Sequence, residues 1–226
     1  IFSYSGPTEK ETVSLRCLCK LFSKALKPLP CWTSFPHPKY SSLRGLFGRI
    51  NELSKSGSTN IPKLVLIENG IHDEGGNIVV ISISISIVGE SREHCVVIGG
   101  LRMKGKKEDD VNVSDLTLRD SKGNGVHGNG ASIHLDNVSV ENSGGRGVYV
   151  YDTKRNTMKN CNVSHSKGSG LRVGGGGLMT IDGKDTTIHH NCTDRSSGNY
   201  GLHTWHSSSS IHLVSPLTIE MISKNN

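Results

Sequence analysis

Six residues carry the chemistry this 226-residue sequence most readily suggests: His127, Tyr149, Tyr151, Arg172, His203 and Trp205. His127, Tyr149, Arg172 and His203 each follow the last residue of a repeated block. Asn129, Tyr151, Gly174 and Trp205 lie two residues further on, a spacing that gives the same facing along a strand. Rings and cations in one exposed row suit stacking on sugars, or holding an acidic glycan or a peptide. Ordinary surface variety is the competing reading of the same residues. His189, His190, Asp194, His203 and His206 form a second set, with donors suited to acid/base work or a metal. Adjacent His189 and His190 should point to opposite faces of a strand, and His203 and His206 are out of phase, so no metal site is expected. The paired acids Asp109 and Asp110 fall in KGKKEDD, which reads as a charged, solvated turn. No cofactor is expected.

Positioning such a row requires a repeat, and four gapless twelve-residue blocks supply one. They are DLTLRDSKGNGV (115–126), NVSVENSGGRGV (137–148), NCNVSHSKGSGL (160–171) and NCTDRSSGNYGL (191–202). Their offsets are 22 (137 − 115), 23 (160 − 137) and 31 (191 − 160). The first column, Asp115, Asn137, Asn160 and Asn191, suits turns, because Asn and Asp tolerate left-handed backbone. The fourth column, Leu118, Val140, Val163 and Asp194, is apolar until Asp194 breaks it. The eleventh, Gly125, Gly147, Gly170 and Gly201, asks for positive φ or close backbone approach. Alternation by two with abundant Gly points to strands rather than helices. A unit this small cannot bury its own apolar face, but stacked copies share one core. The expectation is an all-β fold, a parallel β-solenoid with coils of about 22–23 residues. The longer last step predicts an insertion, placed around Gly174–Asp185.

The first 60 residues differ in character. They carry nine Lys or Arg against three Glu, which accounts for the whole net charge of +6. Leu15–Leu26 and Leu43–Leu53 both show helical spacing, with Pro28 and Pro30 ending the first and Ser41 or Ser42 capping the second. LVLI (64–67) reads as the first strand. The expected division is a basic helical segment over 1–60 and the solenoid over 61–226.

Two family resemblances rest on these stretches. SSLRGLFGRINEL, then PKLVLIENGIHDEGG, ISISIVGES and VVIGG, resembles the opening of right-handed parallel β-helices of the pectate-lyase-like superfold. That resemblance implies a helix over 41–54 covering the open end of the core and a first coil begun by Gly70 and Glu74. The fold hosts many activities. The local signatures of its polygalacturonase-like hydrolases and of its lyases are missing here. Leu18, Cys19, Lys20, Phe22, Leu26 and Trp32, within 11–34, resemble the back half of an F-box. This implies a Skp1-like adaptor and a substrate protein as partners.

Six cysteines without a C-x-x-C pair speak against zinc and suit a reducing compartment, hence an intracellular protein of cytoplasm or nucleus. Cys161 and Cys192 share a column, which predicts stacked buried thiols on neighbouring coils. The sequons at Asn112, Asn137, Asn162 and Asn191 read as turn residues of the repeat. No transmembrane run and no specific nucleic-acid partner is indicated. The expected function is a non-enzymatic recognition scaffold, with an F-box-type ubiquitin-ligase role as one candidate. The alternative is a carbohydrate-binding or carbohydrate-active protein of lyase, hydrolase or epimerase type.

Overall fold

A computed structural model describes residues 32–226. The helix expected over Leu15–Leu26, and most of the F-box-like stretch, lie outside the described residues. The rest is a three-sided parallel solenoid with one continuous core.

The first face is a parallel sheet of eight strands: β1 (Trp32–Phe35), β2 (Leu64–Ile67), β4 (Ile85–Gly89), β6 (Asp110–Ser114), β9 (Ser132–Asp136), β12 (Asn156–Lys159), β15 (Leu178–Asp182) and β18 (Ser210–Leu213). The second face stacks β7 (Thr117–Arg119), β10 (Ser139–Glu141), β13 (Asn162–Ser164), β16 (Thr187–His189) and β19 (Ser223–Lys224). The third stacks β8 (Val126–Asn129), β11 (Val148–Tyr151), β14 (Leu171–Gly174) and β17 (Leu202–Thr204). Two long strands, β3 (Gly70–Ile81) and β5 (Cys95–Met103), run round the corner and join these two faces into one sheet. Because Trp32–Phe35 already pairs with Leu64–Ile67, the first face begins ahead of the expected boundary at residue 61.

Two corners per coil are made by residues in left-handed backbone. Asp115, Asn137, Asn160 and Gly183 turn the chain from the first face to the second. Asp120, Asn142, His165 and His190 turn it from the second to the third. Side-chain ladders tie successive corners: Asn137 donates to Asp115 at 2.7 Å, and Asn142 to Asp120 at 3.2 Å. The eleventh-column glycines answer a different need. A Cβ on Gly147 would collide with Val163 Cγ1 and stand 2.7 Å from the carbonyl oxygen of Gly170, so the requirement is close approach.

The fourth block is out of register. Val163 pairs with Ile188, and Ser164 with His189, so Ile188 fills the apolar column assigned to Asp194. Ile188 is fully buried, and Asp194 is exposed in a loop. The extra residues therefore fall in two turns rather than at Gly174–Asp185 as a whole. A small part lies at 183–186 and most lies in 190–201. Asn191 takes the inward place held by Ser166 one coil earlier, accepting from Ser166 N at 3.0 Å. Asn226 repeats the role one coil later, accepting from Asn191 N at 3.1 Å. Cys161 and Cys192 accordingly share no column. Cys161 is buried, Cys192 is half-buried, and both are free thiols. Burial pushes the Cys161 thiol up to about 11. Of the sequons, Asn137 is a corner and Asn191 a buried turn, but Asn112 and Asn162 are strand residues.

Helix α1 (Leu43–Lys55) covers one end of the core with Leu43, Leu46, Phe47 and Ile50. Ser42 caps it, its Oγ accepting from Gly45 N at 3.1 Å. Buried Glu74 reaches the same helix end from the first coil. Its carboxylate accepts from Leu43 N at 2.6 Å and from Arg44 N at 3.3 Å, where a negative charge also suits the helix dipole. The remaining helix, α2 (Ile219–Ile222), is a single turn. No helix among the described residues is long and apolar enough to cross a membrane.

Candidate functional site

The third face carries the aromatic and cationic row. Strand pairing puts Arg102, His127, Tyr149, Arg172 and His203 on successive rungs. Beside them Asn129, Tyr151 and Gly174 form a second row, and Trp205 packs against Gly174 at its end. The alternation buries Val126, Val148, Val150, Leu171 and Val173, which leaves the neighbouring positions facing outward.

The rings and cations touch. His127 stacks on Tyr149 at 4.8 Å, and the Arg146 guanidinium lies over the same tyrosine at 4.8 Å. Arg172 covers Trp205 at 4.5 Å, and Trp205 leans on His206 at 4.3 Å. Tyr200 meets His203 edge-on at 5.2 Å. Arg102 and Arg146 are additions that the sequence columns missed. Arg102 sits one coil above the first block, and Arg146 comes from a turn.

The electrostatics of this row are one-sided. The Nε atoms of Arg102, Arg146 and Arg172 are all buried and have no hydrogen-bond partner. Burial, then Arg102 and Arg146, press the His127 pKa down to about 4, so the ring is neutral at pH 7. His203 is lowered by burial and by Arg172 and Arg146. Arg146 is itself lowered by burial and by Arg172. No carboxylate acts on any of the three. Such an arrangement can hold anions and stack rings.

The histidine set does not assemble as one cluster. Asp194 is held in its loop, accepting from Ser196 N at 3.0 Å, away from His189. His189 and His190 do not diverge as expected of strand neighbours, because His190 has φ +52° at a corner. Their Nδ1 atoms meet at 2.7 Å, and His165 stacks on His190 at 5.4 Å. Among the described residues no group of three His, Cys, Asp or Glu side chains is placed to hold a metal ion.

The KGKKEDD stretch is a turn, as expected, with Lys104, Lys106, Lys107 and Glu108 exposed, but both of its aspartates are held by partners. Asp109 accepts from Lys106 N at 2.7 Å and from Ser84 Oγ at 2.7 Å. Asp110 opens strand β6 and pairs with His134 and Arg155, both at 3.0 Å. On the first face a groove of about 540 Å³ is lined by Asn112, His134, Thr157, Lys159 and Thr180 among others. Its outward column runs three residues ahead of each of the first three blocks, a signal present in the sequence but visible only once the blocks are extended backwards.

No curated protein and no solved structure matches the chain. Residues 99–215, more than half of the chain, match the family described as right handed beta helix region. With its parallel three-sided coils and inward apolar ladders, the chain belongs to the right-handed β-helix family.

Proposed function

We propose that the protein is a recognition scaffold whose third face binds an extended acidic ligand, with an acidic glycan as the favoured class. One observation carries this reading: Arg102, Arg146 and Arg172 lie together on one face, and no carboxylate is among the groups acting on His127, Arg146 or His203 there. The three side chains are only half-buried, so their charge is open to a ligand, and an anion would supply a partner that the face lacks. Arg102 and Arg172 stand three rungs apart, about 14 Å at ~4.8 Å per rung. That span suits several units of a polymer rather than one small ion. Tyr149, Tyr151 and Trp205 add faces on which sugar rings can stack.

A glycan array probed with the full chain tests this. Retention of uronate or sulfated oligomers, and not of their uncharged counterparts, supports the reading. Equal retention of both, or of neither, sinks it. Lyase, hydrolase or epimerase chemistry finds no carboxylate on this strip. The ubiquitin-ligase role rests on residues 11–34, of which Trp32, Thr33 and Ser34 are described, as part of strand β1. Capture of a Skp1-like adaptor by the full chain would support that role, and its failure would leave the third-face reading untouched.

A further inference from the structure

The groove on the first face holds a hydrogen-bonded chain of side chains that the third-face reading does not use. Asn112, His134, Thr157 and Thr180 occupy one outward column on successive rungs. His134 Nε2 lies 3.0 Å from Asp110 Oδ1, and His134 Nδ1 lies 3.0 Å from Thr157 Oγ1. Arg155 shares the same carboxylate oxygen, with Nη2 3.0 Å from Asp110 Oδ1 and 3.0 Å from the Glu108 carbonyl oxygen.

These contacts set the direction of the protons. An ionised carboxylate only accepts, so the hydrogen on neutral His134 sits at Nε2. Nδ1 then offers its lone pair, and the Thr157 hydroxyl is the donor. A hydroxyl, a base within reach and an acid orienting that base are the parts of an activated nucleophile. Lys159 lies two residues beyond Thr157 on strand β12 and lines the same groove. Two residues apart on a strand means the same facing.

We propose that Thr157 is a nucleophile for acyl transfer from esters, with His134 as its general base and Asp110 as the positioning residue. Thr157 Oγ attacks the ester carbonyl carbon and gives its proton to His134 Nδ1. Lys159, in register with Asp136 and Asp182 on the adjoining strands, is the cation of the groove and would supply charge to the resulting oxyanion. Collapse breaks the bond to the alcohol oxygen, which leaves with the proton from His134. Water, deprotonated by the same His134, then cleaves the acyl-threonine to a carboxylic acid and restores the hydroxyl. Asn112, Thr180, Asp136 and Asp182 put polar groups at a groove whose exposed surface is otherwise mainly apolar, which suits an ester with an apolar acyl part on a hydroxylated alcohol.

The test is labelling of the full chain with a fluorophosphonate probe, followed by peptide mass spectrometry. The expected adduct is on Thr157, retained in Thr157→Ser and reduced at least a hundredfold in His134→Ala. Hydrolysis of p-nitrophenyl acetate should fall in the same order, and Gly48→Ala, at an exposed position of helix α1, should leave both unchanged. Asp110→Asn should slow labelling and lower kcat for p-nitrophenyl acetate with KM unchanged, because an amide can accept from or donate to Nε2 and no longer fixes the His134 hydrogen there. A purely structural Asp110 would leave kcat of the folded variant in place. No adduct on Thr157 in the folded protein, or an adduct undiminished in His134→Ala, overturns the proposal.

Discussion

The Arg172 guanidinium lies 4.5 Å over the ring of Trp205, which stands on the neighbouring coil. This contact joins the charged row of the third face to its aromatic edge. It also explains how a cation with a buried, unpaired Nε is tolerated there: the ring face supplies part of the missing electrostatic partner.

Arg172→Ala should therefore weaken binding of an acidic oligosaccharide about tenfold, roughly 1.4 kcal/mol. The loss should shrink as salt is raised, since screening removes the charge contribution from the parent protein too. Titration calorimetry at two ionic strengths checks both statements. The variant should unfold at a temperature no lower than the parent, because it relieves repulsion from Arg146.

Binding should depend on pH through His127. Its pKa is near 4 in the free protein, and an anion beside the ring would raise it. Protons are then taken up on binding, so affinity should rise as pH falls from the usual histidine range towards 4. His127→Gln should flatten that profile.

Stability has the opposite sign. The unfolded chain protonates this histidine near 6.5 and the folded chain only near 4, so stability is lost as pH falls between those values and levels off below them. The loss should be on the order of 1 kcal/mol, since the ring is partly exposed and solvent screens it. Denaturant unfolding at pH 7 and pH 4.5, with His127→Gln as control, measures it.

Two glycines should respond in opposite directions. Gly147→Ala places a methyl against Val163 and the backbone of Gly170. It should cost about 2 kcal/mol or more, as overpacking does. Gly48 is an exposed helix position with nothing within 4 Å of an added Cβ. Gly48→Ala should stabilise by about 0.5–1 kcal/mol. Thermal unfolding of the two variants provides the comparison.

Register in the fourth coil can be tested by a paired substitution. Ile188→Ala removes a fully buried side chain and should cost about 2–4 kcal/mol. Asp194→Ala, at the position the gapless repeat would place in the core, should leave the unfolding temperature unchanged. The reverse order would restore the uncorrected register.

Much of the fold was legible because the repeat obeys packing rules that act column by column. Asp115, Asn137 and Asn160 announced a left-handed corner, and Leu118, Val140 and Val163 announced an inward ladder. The fourth coil was misread because Asn191-Cys192 imitates Asn160-Cys161 while most of the extra chain is looped out after His190. A gapless comparison follows letters, whereas the core selects Ile188 for its shape. Most of the strip was legible from one column. Arg102 was missed because its strand runs round the corner without the Ser/Gly turn that marks the blocks, and Arg146 because a turn residue belongs to no strand column. The first-face chain needed contacts between residues on neighbouring coils. His134 and Thr157 mean little alone and acquire a role only from their register.

Recognition of an acidic polymer by Arg102, Arg146 and Arg172 is the central expectation. Titration calorimetry of the full chain with an oligogalacturonate, parent against an Arg102→Ala, Arg146→Ala, Arg172→Ala variant, tests that most directly. Saturable binding by the parent and none by the folded variant is the predicted result. Absence of binding by the parent, or equal binding by both, would contradict it.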